Sequence, residues 1–123
     1  MSQHPVVWFE IRGDEHEKLQ GFYGELFGWV EAGEHDLGEL GPYKLFGAGA
    51  WPLGGVYRRP EHLPASSWLS YVRVVDLDGA VDVARNEGGR VLHGPVEVPG
   101  GDQVAIACDP QGALFALHQV ATS

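Results

Sequence analysis

Apolar and polar residues alternate in the segment VVWFEI, the first clear element of the chain. This period of two is typical of a β-strand whose two faces have different surroundings. The apolar face carries Val7, Phe9 and Ile11, and the other face carries Trp8 and Glu10. We therefore expect the first face to pack against a helix and the second to meet a cavity or another sheet.

The following segment, EHEKLQGFYGELFGW, has the pattern of an amphipathic helix. Asp14 and Glu17 have the spacing of a capping-box variant, so we expect the helix to begin there. Gly28 is expected to end it. The apolar residues that fall at i, i+3, i+4 and i+7 are Leu19, Phe22, Tyr23 and Leu26.

The second half of the chain repeats this order. WLSYVRVVD alternates as a strand, and Asp76 is expected to cap a helix that Gly88 and Gly89 end. The apolar residues at helical spacing are Leu77, Ala80, Val81 and Ala84. Three short strand-like runs follow each helix: WVEAGEHD, YKLFGAG and GGVYRR in the first half, and RVLHGPVEVPG, QVAIACD and ALFALHQV in the second.

This pattern predicts an α+β protein built from two tandem βαβββ modules. We expect one domain over residues 1–123, since this length buries a sizeable core without disulfides. Module one is expected at about residues 5–59 and module two at about residues 68–121, with a proline- and serine-rich linker at about residues 60–67. In the last hairpin, Asp109, Pro110 and Gly112 suit the first, second and fourth positions of a type I turn.

Charge and composition exclude several classes of protein. The net charge of −9, with eight scattered Lys and Arg residues, argues against nucleic-acid binding and is more compatible with a cationic than an anionic ligand. No run approaches the roughly 20 apolar residues of a membrane span. The N-terminus lacks the pattern of a secretory signal, so a cytoplasmic location is expected. The single Cys108 excludes an internal disulfide and is expected to be a buried, small apolar residue.

Two motifs, FYGELFGW in the first helix and DPQGALFAL near the end, occur within this tandem order. Together they resemble the vicinal oxygen chelate superfamily, which includes glyoxalase I, bleomycin-resistance proteins and extradiol dioxygenases. The resemblance covers nearly the whole chain. It implies that the two modules form a curled, cup-shaped mixed sheet, and it implies a homodimer.

Metal-dependent members of that superfamily hold a divalent ion with His, Gln and Glu side chains from equivalent strands. The resemblance places the ligand positions at Trp8, near Gly55 to Tyr57, at Tyr71 and at Ala116. An indole, a neutral phenol and a methyl group are poor ligands or none. We therefore predict no cofactor and no metal ligands.

A displaced metal site is the alternative. An alignment shifted by two residues keeps the same strand face and places Glu10, Arg73 and His118 at the ligand positions. Glu10 and His118, joined by His93, would be the best set of donors, so a divalent metal is not excluded.

Glu10, Arg73 and His118 are the candidate catalytic residues. Glu10 and Arg73 occupy equivalent places in the two modules, so they are expected to face each other. They would form either a structural ion pair or a site in which Arg73 holds a carboxylate or enolate oxygen and Glu10 acts as a general base. His118 is expected on the cavity face, where a purely structural role is the commoner outcome.

Aromatic side chains are the candidate walls of a binding site. We predict that Trp8, Tyr71 and Trp51, together with His93, bind the ligand, and that Phe46 and Trp68 belong to the core.

The sequence thus predicts a protein that binds an aromatic or hydrophobic small molecule without the usual metal site. The alternative is a lyase, isomerase or dioxygenase of the same superfamily. Such an enzyme would be either metal-dependent with displaced ligands or metal-free and dependent on Glu10, Arg73 and His118.

Overall fold

The computed structural model describes residues 4–49, 51–61 and 65–122. Its helices and strands confirm the predicted α+β fold, in which the order strand, helix, three strands occurs twice. Residues 62–64 of the predicted linker lie outside the described residues. The elements are β1 (Val6–Gly13), α1 (His16–Phe27), β2 (Val30–Asp36), β3 (Pro42–Ala48), β4 (Trp51–Arg58), β5 (Ser67–Arg73), α2 (Leu77–Asn86), β6 (Arg90–Glu97), β7 (Gln103–Cys108) and β8 (Leu114–Gln119), with one turn of 3₁₀ helix at Gly38–Leu40.

The chain divides into two compact units. The first unit is residues 8–68, and the second unit is residues 69–122 with residues 4–7. Within the first unit the strand order is β2-β3-β4-β1, and β1 pairs with β4 in parallel. Within the second unit the order is β5-β8-β7-β6, and β5 pairs with β8 in parallel. The remaining neighbours within each unit are antiparallel, so the two units have the same topology.

The core of the first unit lies between its strands and α1. Ile11, Phe46 and Val56 are each 2% exposed, and Phe9 and Leu19 pack against them. The predictions that Phe9 and Ile11 face a helix and that Phe46 belongs to the core are therefore confirmed. The same prediction for Trp68 is wrong, because Trp68 is 44% exposed. Trp8 and Glu10 lie on the opposite face of β1, because successive strand residues alternate between the two faces.

The core of the second unit is formed in the same way beneath α2. Leu77 and Val81 of the helix pack against Ala105 and Leu117 of the strands, and all four are buried. Phe115 packs against this cluster as well. Cys108 is buried and unbonded to any other cysteine, as predicted.

The helix ends agree with the sequence at three of four points. Gly28 ends α1 in the left-handed conformation with φ of 73°, and Asp76 caps α2 by accepting a hydrogen bond at 3.1 Å from the Gly79 N–H. Glycines also follow the end of α2, as predicted. The prediction that Asp14 caps α1 is wrong, because its carboxylate instead pairs with the Arg59 guanidinium at 3.0 Å. Glu15 occupies the N-cap position, but its side chain makes no capping hydrogen bond.

The apolar stripe of α1 is only partly buried. Tyr23 and Leu19 pack against the core, but Phe22 and Leu26 are 59% and 58% exposed. An amphipathic spacing therefore predicted the helix correctly without predicting that its whole apolar stripe is covered. In the last hairpin, the Gly112 N–H donates to the Asp109 carbonyl at 3.0 Å, which confirms the predicted turn. Neither helix among the described residues is long and apolar enough to cross a membrane.

Candidate functional site

The face of the first unit that points away from α1 carries a buried carboxylate. Glu10 follows Trp8 and precedes Arg12 at alternate positions of β1, so these three side chains share one face. Glu10 is only 8% exposed. Burying a carboxylate is costly unless hydrogen bonds and an opposite charge compensate it, and the neighbours of Glu10 supply both.

Side chains of the first unit form a hydrogen-bonded group at the Glu10 carboxylate. The Trp8 indole N–H donates to the Tyr43 hydroxyl oxygen at 2.8 Å, and the Tyr43 hydroxyl donates to Glu10 Oε2 at 2.9 Å. Tyr57 Oη and Arg12 Nη2 lie at the longer distance of 3.4 Å from Glu10 Oε1 and donate to it. We call these five residues the Glu10 cluster.

Backbone pairing places the tyrosines beside the carboxylate. In the register of β1 with β4, Glu10 is opposite Gly55 and Arg12 is opposite Tyr57. A Cβ atom at Gly55 would overlap the ring of Tyr43. The absence of a side chain at Gly55 therefore leaves the space in which the Tyr43 ring lies beside Glu10.

The charges within the cluster keep the Tyr57 hydroxyl protonated. Burial raises the pKa of Tyr57 above its ordinary value, and the negative charge of Glu10 raises this pKa further, while Arg12 opposes the change. At neutral pH Tyr57 is therefore a hydrogen-bond donor and not a phenolate.

A second polar group lies in the second unit. His118 Nε2 is 2.6 Å from Asp102 Oδ2, and the other carboxylate oxygen of Asp102 accepts a hydrogen bond from the Ala121 N–H at 2.7 Å. Leu117 packs towards α2, so its neighbour His118 lies on the opposite face, as predicted. We call this group the His118–Asp102 pair.

The surroundings of Asp102 favour its ionised form. The Ala121 N–H lowers the pKa of Asp102 most, and the hydrogen bond from His118 and the positive charge of Arg73 lower it further. An ionised carboxylate at 2.6 Å holds the His118 ring in one orientation. Among the described residues, His118 Nδ1 is buried and has no hydrogen-bond partner.

Arg73 is the neighbour of His118 in the register of β5 with β8. Its side chain is exposed, and its backbone N–H donates to the Pro5 carbonyl at 2.9 Å. Glu10 and Arg73 belong to different units, so their predicted encounter stays a prediction.

The remaining predicted ligand-binding residues differ in exposure. Tyr71 is 7% exposed and pairs with Ala116 in the register of β5 with β8. Trp51, at the start of β4, is 77% exposed, and His93 is exposed on the edge strand β6. Of these four residues, Trp8 belongs to the Glu10 cluster, and Tyr71 and His93 belong to the second unit.

The side chains at the ligand positions that the resemblance implies do not fit a divalent metal ion. The indole nitrogen of Trp8 carries a proton that it donates to Tyr43, Tyr57 is held neutral, and Ala116 has no donor atom. In the described part of the chain, no three His, Cys, Asp or Glu side chains are grouped so that they could hold a metal ion.

Sequence reasoning did not predict that Arg12, Tyr43 and Asp102 belong to these sites, and it named Tyr57 only as the end of a range, Gly55 to Tyr57, near one implied ligand position. Arg12 continues the alternation of Trp8 and Glu10, so the pattern already contained a signal for it. Tyr43 and Tyr57 lie in strands that the sequence predicted, but their position beside Glu10 depends on pairing between strands. Asp102 lies in the connection before β7, where no local pattern marks it.

Taken together, the paired βαβββ units and their polar faces define a small α+β protein with two related halves. A family model matches residues 5–117, and the chain belongs to that family, the Glyoxalase/Bleomycin resistance protein/Dioxygenase superfamily.

Two curated relatives are similar to nearly all of this chain. The protein named "Putative glyoxylase CFP32" of Mycobacterium bovis is 27% identical over 112 residues, which cover 91% of this chain and 42% of the relative. The protein named "Anthracycline biosynthesis protein DnrV" of Streptomyces peucetius is 28% identical over 125 residues, which cover 90% of this chain and 45% of the relative. This chain thus spans less than half the length of these relatives.

Solved structures share the fold. A hypothetical protein of Bacillus halodurans C-125 superposes with a TM-score of 0.73 at 15% identity, covering 99% of this chain and 98% of the other. A methylmalonyl-CoA epimerase of Mycobacterium tuberculosis superposes with a TM-score of 0.65 at 16% identity, covering 95% and 88%. At these identities the likeness concerns the fold alone.

Proposed function

We propose that this protein binds an aromatic or hydrophobic small molecule on the face that carries the Glu10 cluster, without the metal ion of other superfamily members. The observation that carries the proposal is the buried Glu10 carboxylate, which is linked through the Tyr43 hydroxyl to the indole of Trp8. The expected cytoplasmic location belongs to the same proposal.

The exposures of the cluster suit a flat ligand. Trp8 and Tyr43 are half-buried, so part of each ring is open to a partner, while Glu10 is buried behind them. A ring that stacks on an aromatic side chain gains about 0.5–1.5 kcal/mol beyond its buried area. A positive group on the ligand would also be attracted by Glu10 and by the net charge of −9.

The relatives support this ligand class. One has a name that refers to anthracycline biosynthesis, and anthracyclines contain a flat system of fused rings. Aromatic side chains at two of the superfamily's metal-ligand positions, Trp8 and Tyr71, agree with a site adapted for packing against an organic molecule.

Tryptophan fluorescence tests the proposal with two planar probes of opposite charge. We expect saturable quenching by the cation 9-aminoacridine and weaker binding of the anion anthraquinone-2-sulfonate. Tyr43→Phe, which breaks the link between Trp8 and Glu10, should weaken binding of 9-aminoacridine. Tyr23→Phe is the matched control, because it removes a hydroxyl that bonds to Trp68 instead.

Two results would refute the proposal. One is an absence of saturable binding for a wider panel of neutral and cationic aromatic compounds. The other is equal affinity in the wild type, Trp8→Leu and Tyr43→Phe, since a ligand bound on this face must contact these two half-buried rings.

The second candidate function is metal-free acid–base catalysis, which the His118–Asp102 pair favours. An ionised Asp102 orients His118, as a carboxylate orients a catalytic histidine in many enzymes. Arg73, next to His118 in the strand register, would stabilise an enolate oxygen, and Glu10 would serve as the second base.

Proton exchange separates this candidate from simple binding. In D₂O, an enolising enzyme replaces the acidic C–H protons of a 1,3-diketone or a β-keto acid with deuterium, which NMR detects. Loss of exchange in Glu10→Gln or Asp102→Asn with unchanged ligand affinity would favour catalysis. If neither variant changes exchange relative to the wild type, the candidate is rejected.

We also propose a homodimer in which α1 contacts the second copy. Five residues that line a surface groove on α1 lie on one side of the helix, at i, i+3, i+4, i+7 and i+8: Lys18, Gly21, Phe22, Glu25 and Leu26. A Cβ atom at Gly21 would meet nothing within 4 Å, although a glycine inside a helix costs about 1 kcal/mol relative to alanine. A close approach of a second helix would account for this glycine.

Charge complementarity indicates the same partner. In an antiparallel pair of α1 helices around a two-fold axis near Gly21, Lys18 of one copy approaches Glu25 of the other. Light scattering at micromolar concentration should detect a dimer that Lys18→Glu weakens and that Lys18→Glu with Glu25→Lys restores. Val83→Glu on α2, where Val83 is 62% exposed, is the control and should leave the dimer intact. A wild-type monomer would refute this proposal.

A further inference from the structure

A small cavity lies next to α1, on the face of β1 opposite the Glu10 cluster. It has a volume of about 140 Å³, and its described lining includes Ile11, Leu19, Tyr23 and Trp68. Ile11 is buried in the core of the first unit, and Leu19 and Tyr23 pack against that core. Protein interiors contain few voids larger than a water molecule, so a cavity of this size beside a core has room for a ligand.

The described lining residues offer no opposite charge to an ion in this cavity. Arg12 borders the cavity, but its guanidinium lies with Glu10 on the other face of β1. The remaining two lining residues, Ser66 and Ser67, are uncharged. An ion that entered the cavity would lose its hydration without gaining an ion pair, which is unfavourable. The surroundings therefore favour a neutral ligand.

Tyr23 and Trp68 hold each other in place at the cavity. The Trp68 indole N–H donates to the Tyr23 hydroxyl oxygen at 2.9 Å. The two ring centres are 5.4 Å apart and the ring planes differ by 77°, which is the edge-to-face arrangement that aromatic rings prefer. A buried water molecule typically makes about three hydrogen bonds, whereas the polar groups of these two side chains already bond to each other. This wall therefore suits an aromatic ligand better than water, and because Trp68 is 44% exposed, the ligand reaches the cavity from solvent beside its ring.

We propose that this cavity binds a neutral compound with a single aromatic ring. An apolar cavity of about 150 Å³ binds benzene in another protein, and the cavity next to α1 has nearly this volume. The bound ring would contact Tyr23 and Trp68, which attract a further ring through edge-to-face or offset contacts. A system of three fused rings has more than twice as many atoms as benzene and is too large for it. The site is therefore distinct from the aromatic site proposed at the Glu10 cluster and does not depend on it.

Methyl NMR tests the proposal with benzyl alcohol, which is neutral, and with benzoate, an anion of similar size. We expect benzyl alcohol to shift the methyl signals of Ile11 and Leu19, assigned by their absence in Ile11→Val and Leu19→Met, with a saturable dependence on concentration. The methyl signals of Leu77 and Val81, in the core of the second unit, should stay unchanged. Benzoate should bind at least about 10-fold more weakly, because its charge would be buried without a partner.

Two pairs of variants locate the ligand. Tyr23→Phe removes the hydrogen bond that holds Trp68 and should weaken the affinity for benzyl alcohol about 5-fold, whereas Tyr43→Phe alters the Glu10 cluster and should not change it. Leu19→Trp fills the cavity with a larger side chain and should abolish binding. Leu26→Trp is its matched control, at a position of the same helix that is 58% exposed, and should bind as the wild type does.

Three results would overturn the proposal. They are signals of Ile11 and Leu19 that do not move with benzyl alcohol, an affinity for benzoate equal to that for benzyl alcohol, and an affinity for benzyl alcohol that is the same in the wild type and Tyr23→Phe. The last comparison needs no change of the core, so it decides the question even if Leu19→Trp does not fold. Because 9-aminoacridine is too large for the cavity, its binding reports on the Glu10 cluster alone, and failure of one proposal leaves the other standing.

Discussion

The two units have the same strand order, but the polar faces of their sheets carry different chemistry. In the first unit, a buried carboxylate accepts hydrogen bonds from two tyrosine hydroxyls and a guanidinium, and one of these hydroxyls links it to an indole. In the second unit, a histidine is paired with a carboxylate that is one-third exposed, next to an exposed arginine. Two units of the same topology thus differ in how they accommodate a carboxylate: Glu10 is buried, whereas Asp102 is partly exposed to water.

The helices differ between the units as well. α2 buries Leu77 and Val81 against its own strands, whereas α1 leaves Phe22 and Leu26 more than half exposed. The same topology therefore does not require the same coverage of its apolar residues. The apolar residues of α2 therefore stabilise their own unit, whereas those of α1 are accessible to a binding partner.

The largest expected effect comes from breaking the buried ion pair of the first unit. Arg12→Met removes the guanidinium that lies 3.4 Å from the Glu10 carboxylate, and removal of one partner from a buried pair costs about 3–5 kcal/mol. Arg73→Met in the second unit, where the side chain is exposed, should cost less than about 0.5 kcal/mol. Urea unfolding measures both, and equal losses would remove the distinction between the two faces.

The double variant Glu10→Gln with Arg12→Met sharpens this test. Because it removes both charges, it should recover a large part of the stability that Arg12→Met alone loses. A double variant that is no more stable than Arg12→Met would indicate that Arg12 stabilises the protein through packing instead of charge.

The second largest effect separates the two helices. Leu77→Ala in α2 removes a side chain that is 0% exposed and should cost about 2–5 kcal/mol. Leu26→Ala in α1 makes the same change at a residue that is 58% exposed, and its cost in a monomer should be below about 0.5 kcal/mol. Urea unfolding of the two variants at low protein concentration checks this. Similar costs would mean that the α1 face is covered in solution.

A smaller effect concerns Tyr57 and alkaline pH. Tyr57→Phe removes a donor to a buried carboxylate and should cost about 1–3 kcal/mol at neutral pH. Because the pKa of Tyr57 is raised on folding, the unfolded chain loses this proton first, and stability falls as pH rises above about 10. Urea midpoints between pH 8 and 11 should fall less steeply in Tyr57→Phe. Parallel curves would show that Tyr57 titrates normally.

The smallest effect concerns Asp102 and acidic pH. Its pKa is lowered on folding, so its contribution is present above the ordinary value of 3.8 and is lost as pH falls through the lower folded value. Asp102→Asn should therefore be slightly less stable than the wild type at pH 5, and the difference should shrink towards pH 2. A difference that is constant over this range would contradict the lowered pKa.

Local patterns predicted the fold because each element has its own signal. The alternation of residues along β1 assigned Trp8 and Glu10 to one strand face and Phe9 and Ile11 to the other. The left-handed conformation at the end of α1 favours glycine, which the sequence has at Gly28. The caps were less certain. Asp14 is a residue type that often caps helices, but its carboxylate bonds to Arg59, which lies 45 residues further along the chain.

The candidate site was predictable only where it lies on one strand. Tyr43 and Tyr57 join Glu10 because β4 pairs with β1 on one side and with β3 on the other, and no local period contains that register. Asp102 reaches His118 from a loop whose conformation depends on its glycines and on Ala121. Two of the five residues in the Glu10 cluster, and one of the two in the His118–Asp102 pair, therefore follow from contacts that are distant in sequence.

Gly55 has a consequence for engineering the protein. Most variants that disable a site remove atoms from it. Here a single methyl group added at Gly55 would displace the Tyr43 ring, although every residue of the Glu10 cluster keeps its identity. The occupant of position 55 thus acts as a spacer between two strands, and its size decides whether Trp8 and Glu10 are connected. A series of larger residues at this position would disconnect the indole from the carboxylate by steps.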